Sequence, residues 1–239
     1  MIISVINKSA LPDSELQRVI RAINRQIEED FFPYWSMGAS IRLEGTTVDA
    51  PDTDRLEDMR GDAVIYVWDT VDVTTVLGFH DRNHRGIPFG FVFTELSEEL
   101  GEPWSVTLSH EALELIADPE VNLLVKGPHP EDPTVEVFHW FEMCDAVQAE
   151  TYKIDGVLVS NFVLPLYFTV QDEIASRNDF LGTFEGRGAL QSFGVAPGGY
   201  VGFFNHETGK HERFFGSEVA KKTKRHQIQS EVCAPCDPL

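Results

Sequence analysis

Hydrophobic residues recur at intervals of three and four between positions 16 and 31, a spacing that places them on one face of an α-helix. The residues of this series are Leu16, Val19, Ile20, Ile23, Ile27 and Phe31. We expect an amphipathic helix of about four to five turns. The helix is expected to end before Pro33, because a proline disfavours helical geometry in the residue that precedes it.

Four apolar runs of β-strand length lie around this helix in the chain. Residues 1–7 precede the helix, and residues 39–43 and 62–69 follow it. The run at 62–69 is almost continuously apolar, which is typical of a strand buried on both faces. Residues 87–93 form the fourth run, and their early proline and glycine favour an edge strand. These runs predict a mixed sheet with residues 87–93 at its edge.

A second helix is expected from Trp104 or Ser105 to Pro119. Beyond it, hairpins centred on residues 155–156 and 205–210 make the second half of the chain rich in strands and loops. The expected fold class is therefore α+β. The expected divisions are an N-terminal subdomain of residues 1–120, a C-terminal subdomain of residues 121–220 and a polar tail of residues 221–239.

The second predicted helix carries a histidine and two acids at strict four-residue intervals, namely His110, Glu114 and Asp118. Each step of four residues overshoots a full turn by about 40°, so the three side chains share one slowly drifting stripe. Imidazole and carboxylate groups on one stripe are typical metal ligands. Glu111 follows the histidine directly, and a His-Glu pair opens the zinc-peptidase signature in which the glutamate is the general base. Glu114 stands where that signature has its second histidine.

A catalytic ion of the zinc type needs about three protein ligands and one open position. His110 and Glu114 supply two of these ligands. The third has to come from Asp118 or from a downstream segment that holds Glu142 and Asp145. We favour Glu142, because on a continuous helix Asp118 lies about 80° around the axis and about 12 Å along it from His110. Asp118 is a ligand only if the helix ends just before it. Otherwise it accepts a hydrogen bond from a residue that binds the metal, or caps the helix. Asp145 equally suits a turn.

One further histidine lies before the predicted edge strand. His80 stands beside Asp81 in a segment that we expect to be a loop facing the cleft, so it is predicted to bind substrate or to stabilise an oxyanion. The same two residues also suit an ordinary turn. Histidines at positions 84, 129, 139 and 206 have no partner at helical spacing and are interpreted as surface or structural residues.

Charge and composition limit the expected partners. The chain of 239 residues has 19 Lys and Arg against 39 Asp and Glu, which gives a net charge of −20. This charge repels nucleic-acid phosphates and anionic lipid, so neither is an expected partner. The sequence contains no basic leader before a long apolar core and no apolar run of about 20 residues. Its three cysteines suit a reducing compartment, and we expect a cytoplasmic protein without a cleaved leader.

Four segments together resemble a family of bacterial and phage proteins, most of them uncharacterised. They are Gly78–Asp81, Ser105–Pro119, Glu142–Asp145 and Val159–Pro165. The order of strand, long helix, two strands, edge strand and His-Glu helix also resembles the N-terminal half of zincin metallopeptidases. The resemblance implies a zincin-like metal protein and brings no substrate with it. This chain has Asn161 where the family has an aspartate, so no ligand role is carried over to that position.

The sequence therefore favours a zinc-type metallohydrolase that acts on a peptide or protein, with Glu111 deprotonating the water and residues 87–93 aligning the substrate. Zn²⁺ is the expected cofactor, and the carboxylate at position 114 makes Mn²⁺ or Fe²⁺ better suited than in a two-histidine site. The alternative is a non-catalytic structural or binding protein, such as a phage-associated one, that holds Ca²⁺, Zn²⁺ or no metal. An iron oxygenase with one histidine and two carboxylates is a third hypothesis.

Overall fold

The structure, a computed structural model, describes residues 1–46, 51–69, 76–170, 177–182 and 189–216. Unit 1 comprises Met1–Val121 and Thr151–Ser160, and unit 2 comprises Asn122–Glu150 with the described part of Asn161–Leu239. The segment Thr151–Ser160 thus groups with the N-terminal unit, although it falls within the predicted C-terminal subdomain. The predicted polar tail lies outside the described residues.

The elements of the described residues confirm an α+β fold with a mixed sheet. The strands are β1 (Ile2–Lys8), β2 (Ser40–Thr46), β3 (Ala63–Trp68), β4 (Gly78–Arg82), β5 (Pro88–Phe93), β6 (Leu124–Pro128), β7 (Glu136–Trp140), β8 (Thr151–Ile154), β9 (Val157–Ser160), β10 (Tyr200–Asn205) and β11 (Lys210–Phe215). The α-helices are α1 (Asp13–Arg25), α2 (Phe32–Trp35), α3 (Thr94–Leu100) and α4 (Trp104–Ala117).

Unit 1 is built on a five-stranded sheet with the order β2-β1-β3-β5-β4. The pairs β1–β2, β1–β3 and β3–β5 are parallel, whereas β4 runs antiparallel to β5. The near-continuous apolar run of β3 lies in the middle of this sheet and is buried from Ala63 to Val67, as a strand covered on both faces should be.

The prediction that residues 87–93 form the edge strand is wrong. β5 lies between β3 and β4, so the edge on this side of the sheet is β4. Pro88 is tolerated in an inner strand because it is the first residue of that strand, where the ladder ends. His80 and Asp81 are consequently strand residues, not the loop residues that the sequence suggested.

The long N-terminal helix forms, but its second half differs from the prediction. α1 continues into a π-helical segment, Gln26–Phe31, and then into α2. The predicted end before Pro33 is wrong, because Pro33 occupies the first turn of α2, where a missing N–H removes no helical hydrogen bond. The apolar series is buried as expected: Leu16, Val19, Ile20, Ile23, Ile27 and Phe31.

The second predicted helix is confirmed as α4. Its residues from Ser105 to Ala117 are all buried, and it packs against β4, β5 and β9. The polar and charged residues of α4 are therefore enclosed by protein. Among the described residues, no helix combines the length and apolar character that crossing a lipid bilayer requires.

Both predicted hairpins are also confirmed. β8 and β9 are joined by Asp155 and Gly156, whose φ angles of 50° and 78° are the left-handed values of a two-residue hairpin turn. β10 and β11 form the second hairpin. This hairpin belongs to the four-stranded sheet of unit 2, in the order β11-β10-β7-β6.

Candidate metal centre

Helix α4 lies directly against strand β4 because the strand begins with a glycine. A Cβ atom added at Gly78 would stand 2.6 Å from Thr107 Cγ2 and 3.1 Å from Glu111 Oε1. It would also stand 2.6 Å from the carbonyl oxygen of Phe91, so a larger residue does not fit without movement. Side chains alternate along a strand, and His80 therefore points to the same face as Gly78. In this way β4 brings His80 to helix α4.

Another side of α4 is fixed by neutral hydrogen bonds. Ser109 Oγ donates to Gln26 Oε1 at 2.6 Å and accepts from the backbone N–H of Ser160 at 3.1 Å. Gln26 Nε2 in turn donates to the carbonyl oxygen of Ser160 at 2.8 Å. All three residues are fully buried, and Gln26 begins the π-helical segment. These bonds hold α4 one residue before His110.

Four ionisable side chains meet where α4 faces β4, and we call them the His–Glu cluster: His80, His110, Glu111 and Glu114. His80 Nδ1 lies 3.1 Å from Glu111 Oε2 and 3.8 Å from Glu114 Oε2. His110 Nε2 lies 3.0 Å from the same Glu114 oxygen. A single carboxylate oxygen is therefore close to one nitrogen of each imidazole.

The His–Glu cluster has the spacing and the shielding of a metal site. The ligand atoms of His80, Glu111 and Glu114 all lie within 4.8 Å of one another. Ligand atoms held at about 2.1 Å from one tetrahedral ion stand about 3.4 Å apart, a value that the separations of 3.0, 3.1 and 3.8 Å bracket. The four side chains are between 3% and 10% exposed. Donor type and spacing thus fit a divalent transition-metal ion.

The two buried carboxylates of the His–Glu cluster also need a compensating positive charge. A buried carboxylate is costly unless it is paired or bound to a metal. The imidazoles provide this charge only when they are protonated, whereas a divalent cation balances both carboxylates and binds neutral imidazoles. Charge and geometry therefore point to the same kind of ligand.

The other predicted ligands lie elsewhere in the chain. α4 ends at Ala117, and the buried Asp118 follows as its C-cap, with its N–H donating to the carbonyl oxygen of Glu114 at 2.8 Å. Glu142 and Asp145 belong to unit 2, where Glu142 is half-buried and Asp145 is buried at the start of a 3₁₀ turn. The helix does end before Asp118, which was the condition for its use as a ligand. The ligand roles of these three acids remain predictions.

Sequence reasoning found the ionisable residues of the His–Glu cluster but not the residues that support them. Gly78 was noticed as part of a motif, without the close approach of α4 that it permits. Gln26 and Ser109 are separated by 83 positions in sequence, so no local pattern reveals their contact. The strand that carries His80 had no clear alternation as a signal, because Phe79 is followed by three polar residues, His80, Asp81 and Arg82.

Asn161, to which no ligand role is assigned, lies between two carboxylates of unit 2. Its Nδ2 donates to Asp179 Oδ2 at 2.8 Å and to Glu150 Oε2 at 3.0 Å. Its Oδ1 accepts from the backbone N–H of Phe162 at 2.9 Å. An amide can donate in this way and a carboxylate cannot, so Asn161 stabilises the neighbouring acids by hydrogen bonds.

A further buried histidine, His139, lies in unit 2 and differs from those of the His–Glu cluster. Its Nε2 donates to the carbonyl oxygen of Pro128 at 2.8 Å, and its ring packs near Phe193 and Phe203. Burial lowers the pKa of His139 below its ordinary value, the bond to Pro128 opposes this shift, and the charge of His129 adds to it. The sequence interpretation of His139 as a surface or structural residue agrees with this apolar, hydrogen-bonded position.

Comparisons with known proteins give no further guide. No family model, curated protein or solved structure matches this chain. A function has to be inferred from the side chains themselves.

Proposed function

We propose that this protein is a zinc-type metallohydrolase with a peptide or protein substrate. The observation that carries the proposal is the His–Glu cluster, in which a buried carboxylate oxygen of Glu114 lies 3.0 Å from His110 Nε2 and 3.8 Å from His80 Nδ1. His110 and Glu114 of α4 would hold the ion. Asp118, which follows α4 directly, is one of the further ligands expected from the sequence.

The donor set favours a borderline metal over a purely hard one. Imidazole nitrogen suits Zn²⁺ and Fe²⁺, and carboxylate oxygen suits Mn²⁺ as well. A divalent ion bound here would polarise the scissile carbonyl group and lower the pKa of a water molecule in the site. Zn²⁺ is therefore the proposed cofactor, and Mn²⁺ and Fe²⁺ are its alternatives.

Glu111 is the proposed general base. It directly follows the ligand His110, and its carboxylate lies on the face of α4 that meets β4. A general base has to reach the proton that it removes, and the protein then delivers that proton to the leaving amine. The shielded position of Glu111, 8% exposed, keeps bulk water from competing for the proton.

The edge of the sheet supports the peptide-binding part of the proposal. Four parallel strands are followed outward by the antiparallel edge strand β4, and α4 packs directly on that strand. An exposed strand edge can bind an extended peptide through main-chain hydrogen bonds. The substrate-aligning role expected of residues 87–93 is therefore proposed for β4.

A Glu111→Gln variant tests the general base. The full-length protein and the variant are purified without added metal, and metal content is measured by elemental analysis while cleavage is followed on a peptide library. We expect equal metal content and a loss of cleavage rate of about 100-fold or more, as is typical for removal of a general base. Glu98→Gln on the exposed face of α3 is the matched control and should cleave like the wild type. Equal cleavage by Glu111→Gln and the wild type would show that Glu111 is not the base.

One observation favours a second function, a structural metal site. The four side chains of the His–Glu cluster are at most 10% exposed, and an ion held there would join α4 to β4 whether or not substrate reaches it. This alternative expects a bound ion, Ca²⁺ or Zn²⁺, and no cleavage of any peptide by the wild-type protein. The same measurements on the wild type therefore separate the two functions.

A further inference from the structure

We infer that His80 is a ligand of the metal ion, so that strand β4 and helix α4 hold the ion between them. The inference rests on the proposed metal centre but not on hydrolysis. It gives His80 a different role from the substrate contact or oxyanion contact that the sequence suggested.

The distances around Glu114 support this role. His80 Nδ1 and His110 Nε2 lie 3.8 Å and 3.0 Å from the same oxygen, Glu114 Oε2. Two ligand atoms of one tetrahedral ion stand about 3.4 Å apart. Shifts of a few tenths of an ångström would give each of these two nitrogen–oxygen pairs that separation, and the ligand atoms of His80, Glu111 and Glu114 already lie within 4.8 Å of one another.

The fold leaves His80 little freedom to point elsewhere. β4 is an edge strand, and its register pairs His80 with Gly90 of β5. Alternation along the strand turns Phe79 to the opposite face, where its ring stacks on Phe91 at 5.2 Å. The side chain of His80 is 6% exposed, although it comes from the edge of the sheet.

The second carboxylate, Glu111, lies beside His80 rather than opposite it. Its Oε2 is 3.1 Å from His80 Nδ1, and its Oε1 approaches the Cα of Gly78 so closely that a Cβ there would stand only 3.1 Å away. Glu111 is thus held next to the proposed ligand by the backbone of β4. This position would keep Glu111 beside an ion held by His80 and Glu114, and available as a base.

The inference predicts two imidazole ligands, where the helix motif alone predicts one. A set of two histidines and a carboxylate is an established catalytic zinc arrangement. In this chain the histidine that the helix lacks at position 114 would be supplied by position 80, which lies on the neighbouring strand.

The test uses full-length protein treated with a chelator and then titrated with Zn²⁺ alone, in competition with a coloured chelator. We expect His80→Gln to weaken Zn²⁺ binding by more than about 100-fold, because even loss of an outer partner of a ligand costs about 10- to 100-fold. His84→Gln is the matched control, since His84 is 62% exposed and lies near Asp54 on the surface. X-ray absorption of the zinc form should count two imidazoles in the wild type and in His84→Gln, and one in His80→Gln.

Several outcomes separate the possibilities. A His80→Gln variant with wild-type zinc affinity and two imidazoles would overturn the inference. A wild type without stoichiometric zinc would overturn it together with the metal centre. A wild type that binds zinc through two imidazoles but cleaves no peptide would support the inference and remove only the hydrolase function. Unfolding of the metal-free proteins in urea checks that His80→Gln is folded, and His80→Ala provides a second variant for the same titration.

Discussion

Two sides of helix α4 bury polar groups in different ways. On one side, Ser109 is joined to Gln26 and Ser160 by neutral hydrogen bonds in which each donor meets an acceptor. On the other side, one oxygen of Glu114 lies within 3.8 Å of a nitrogen of His80 and 3.0 Å of a nitrogen of His110, with a second carboxylate close by. Both sides are shielded from solvent, so the two sides differ in the charge of their groups and not in their exposure.

This difference indicates which side has a structural role and which has a binding role. A neutral network of paired donors and acceptors is complete without any added group. A cluster of carboxylates and imidazoles changes its charge with every proton or cation that it binds. Substitutions on the Ser109 side should therefore lower stability, and substitutions in the His–Glu cluster should lower metal affinity.

The largest effect is expected for Glu114→Gln. This change removes the negative charge of the carboxylate that lies near both His80 and His110. We expect the zinc affinity to fall by about 1,000-fold, or about 4 kcal/mol. Zinc titration of the chelator-treated protein measures this change, with Glu98→Gln as the control. Zinc affinity within a few-fold of the wild type would place the metal elsewhere and erase the distinction between the two sides of α4.

Ser109→Ala, in contrast to Glu114→Gln, should lower the stability of the protein and leave its zinc affinity almost unchanged. The change removes the Ser109 hydroxyl that donates to the side-chain amide oxygen of Gln26, Oε1, and that accepts from the Ser160 N–H. Each such loss costs about 1–3 kcal/mol. We expect a loss of about 3 kcal/mol in the free energy of unfolding, measured by urea titration of the metal-free protein, and zinc affinity within a few-fold of the wild type. A variant with normal stability but greatly weakened zinc binding would reverse the assignment of the two sides.

Gly78→Ala should lower both the free energy of unfolding and the zinc affinity, because Gly78 lies where β4 contacts α4. The added methyl group would overlap Thr107 and the carbonyl oxygen of Phe91, and overpacking of this kind costs about 1–3 kcal/mol. We expect a loss of stability near 2 kcal/mol together with a smaller loss of zinc affinity, since His80 moves with β4. Gly86→Ala is a useful contrast, because Gly86 has open space around it but a left-handed φ of 74°. Gly86→Ala should lower the stability and leave the zinc affinity unchanged. Equal zinc affinities for Gly78→Ala and Gly86→Ala would contradict the coupling of β4 to the ion.

The smallest effect concerns His139, the buried histidine of unit 2. Because burial lowers its folded-state pKa below the ordinary value of 6.5, the unfolded chain binds the proton more readily than the folded protein does. The stability that the neutral imidazole contributes is complete above about pH 6.5 and declines as the pH falls below that value. The slope is at most about 1.4 kcal/mol per pH unit.

His139→Phe removes this titration and keeps a ring near Phe193 and Phe203. Unfolding free energies of the variant and the wild type, measured from pH 7.5 to pH 5, should differ by an amount that changes only below about pH 6.5. The wild type should lose more stability than the variant as the pH falls. Parallel curves over the whole range would mean that His139 does not titrate differently in the folded protein.

Much of unit 1 could be predicted from local pattern. The apolar series of α1 gave a buried helical face, the apolar run of β3 gave a central strand, and the Asp155–Gly156 pair gave a hairpin. Each of these signals acts over a few neighbouring residues, where periodicity and turn geometry decide the conformation. The helix carrying His110, Glu111 and Glu114 was predictable for the same reason.

The errors concern the order of the strands and the end of the N-terminal helix. A proline and a glycine suggested that residues 87–93 form the edge strand, but strand order is set by which segments pair, and β4 pairs on the outer side of β5. The continuation of the helix past Pro33 follows from the place of this proline in the first turn of α2, none of whose residues is buried.

The sequence by itself therefore determined α1 and α4, most of the strands and the spacing of the acids and the histidine on α4. Only the tertiary structure decided that β4 is the edge, that His80 meets Glu111 and Glu114, and that Ser109 is held by Gln26. The physical reason is the range of the forces involved. Backbone periodicity is fixed by neighbours within a turn or a pleat, whereas contacts between β4 and α4 form only when the whole sheet has assembled and buried both against each other.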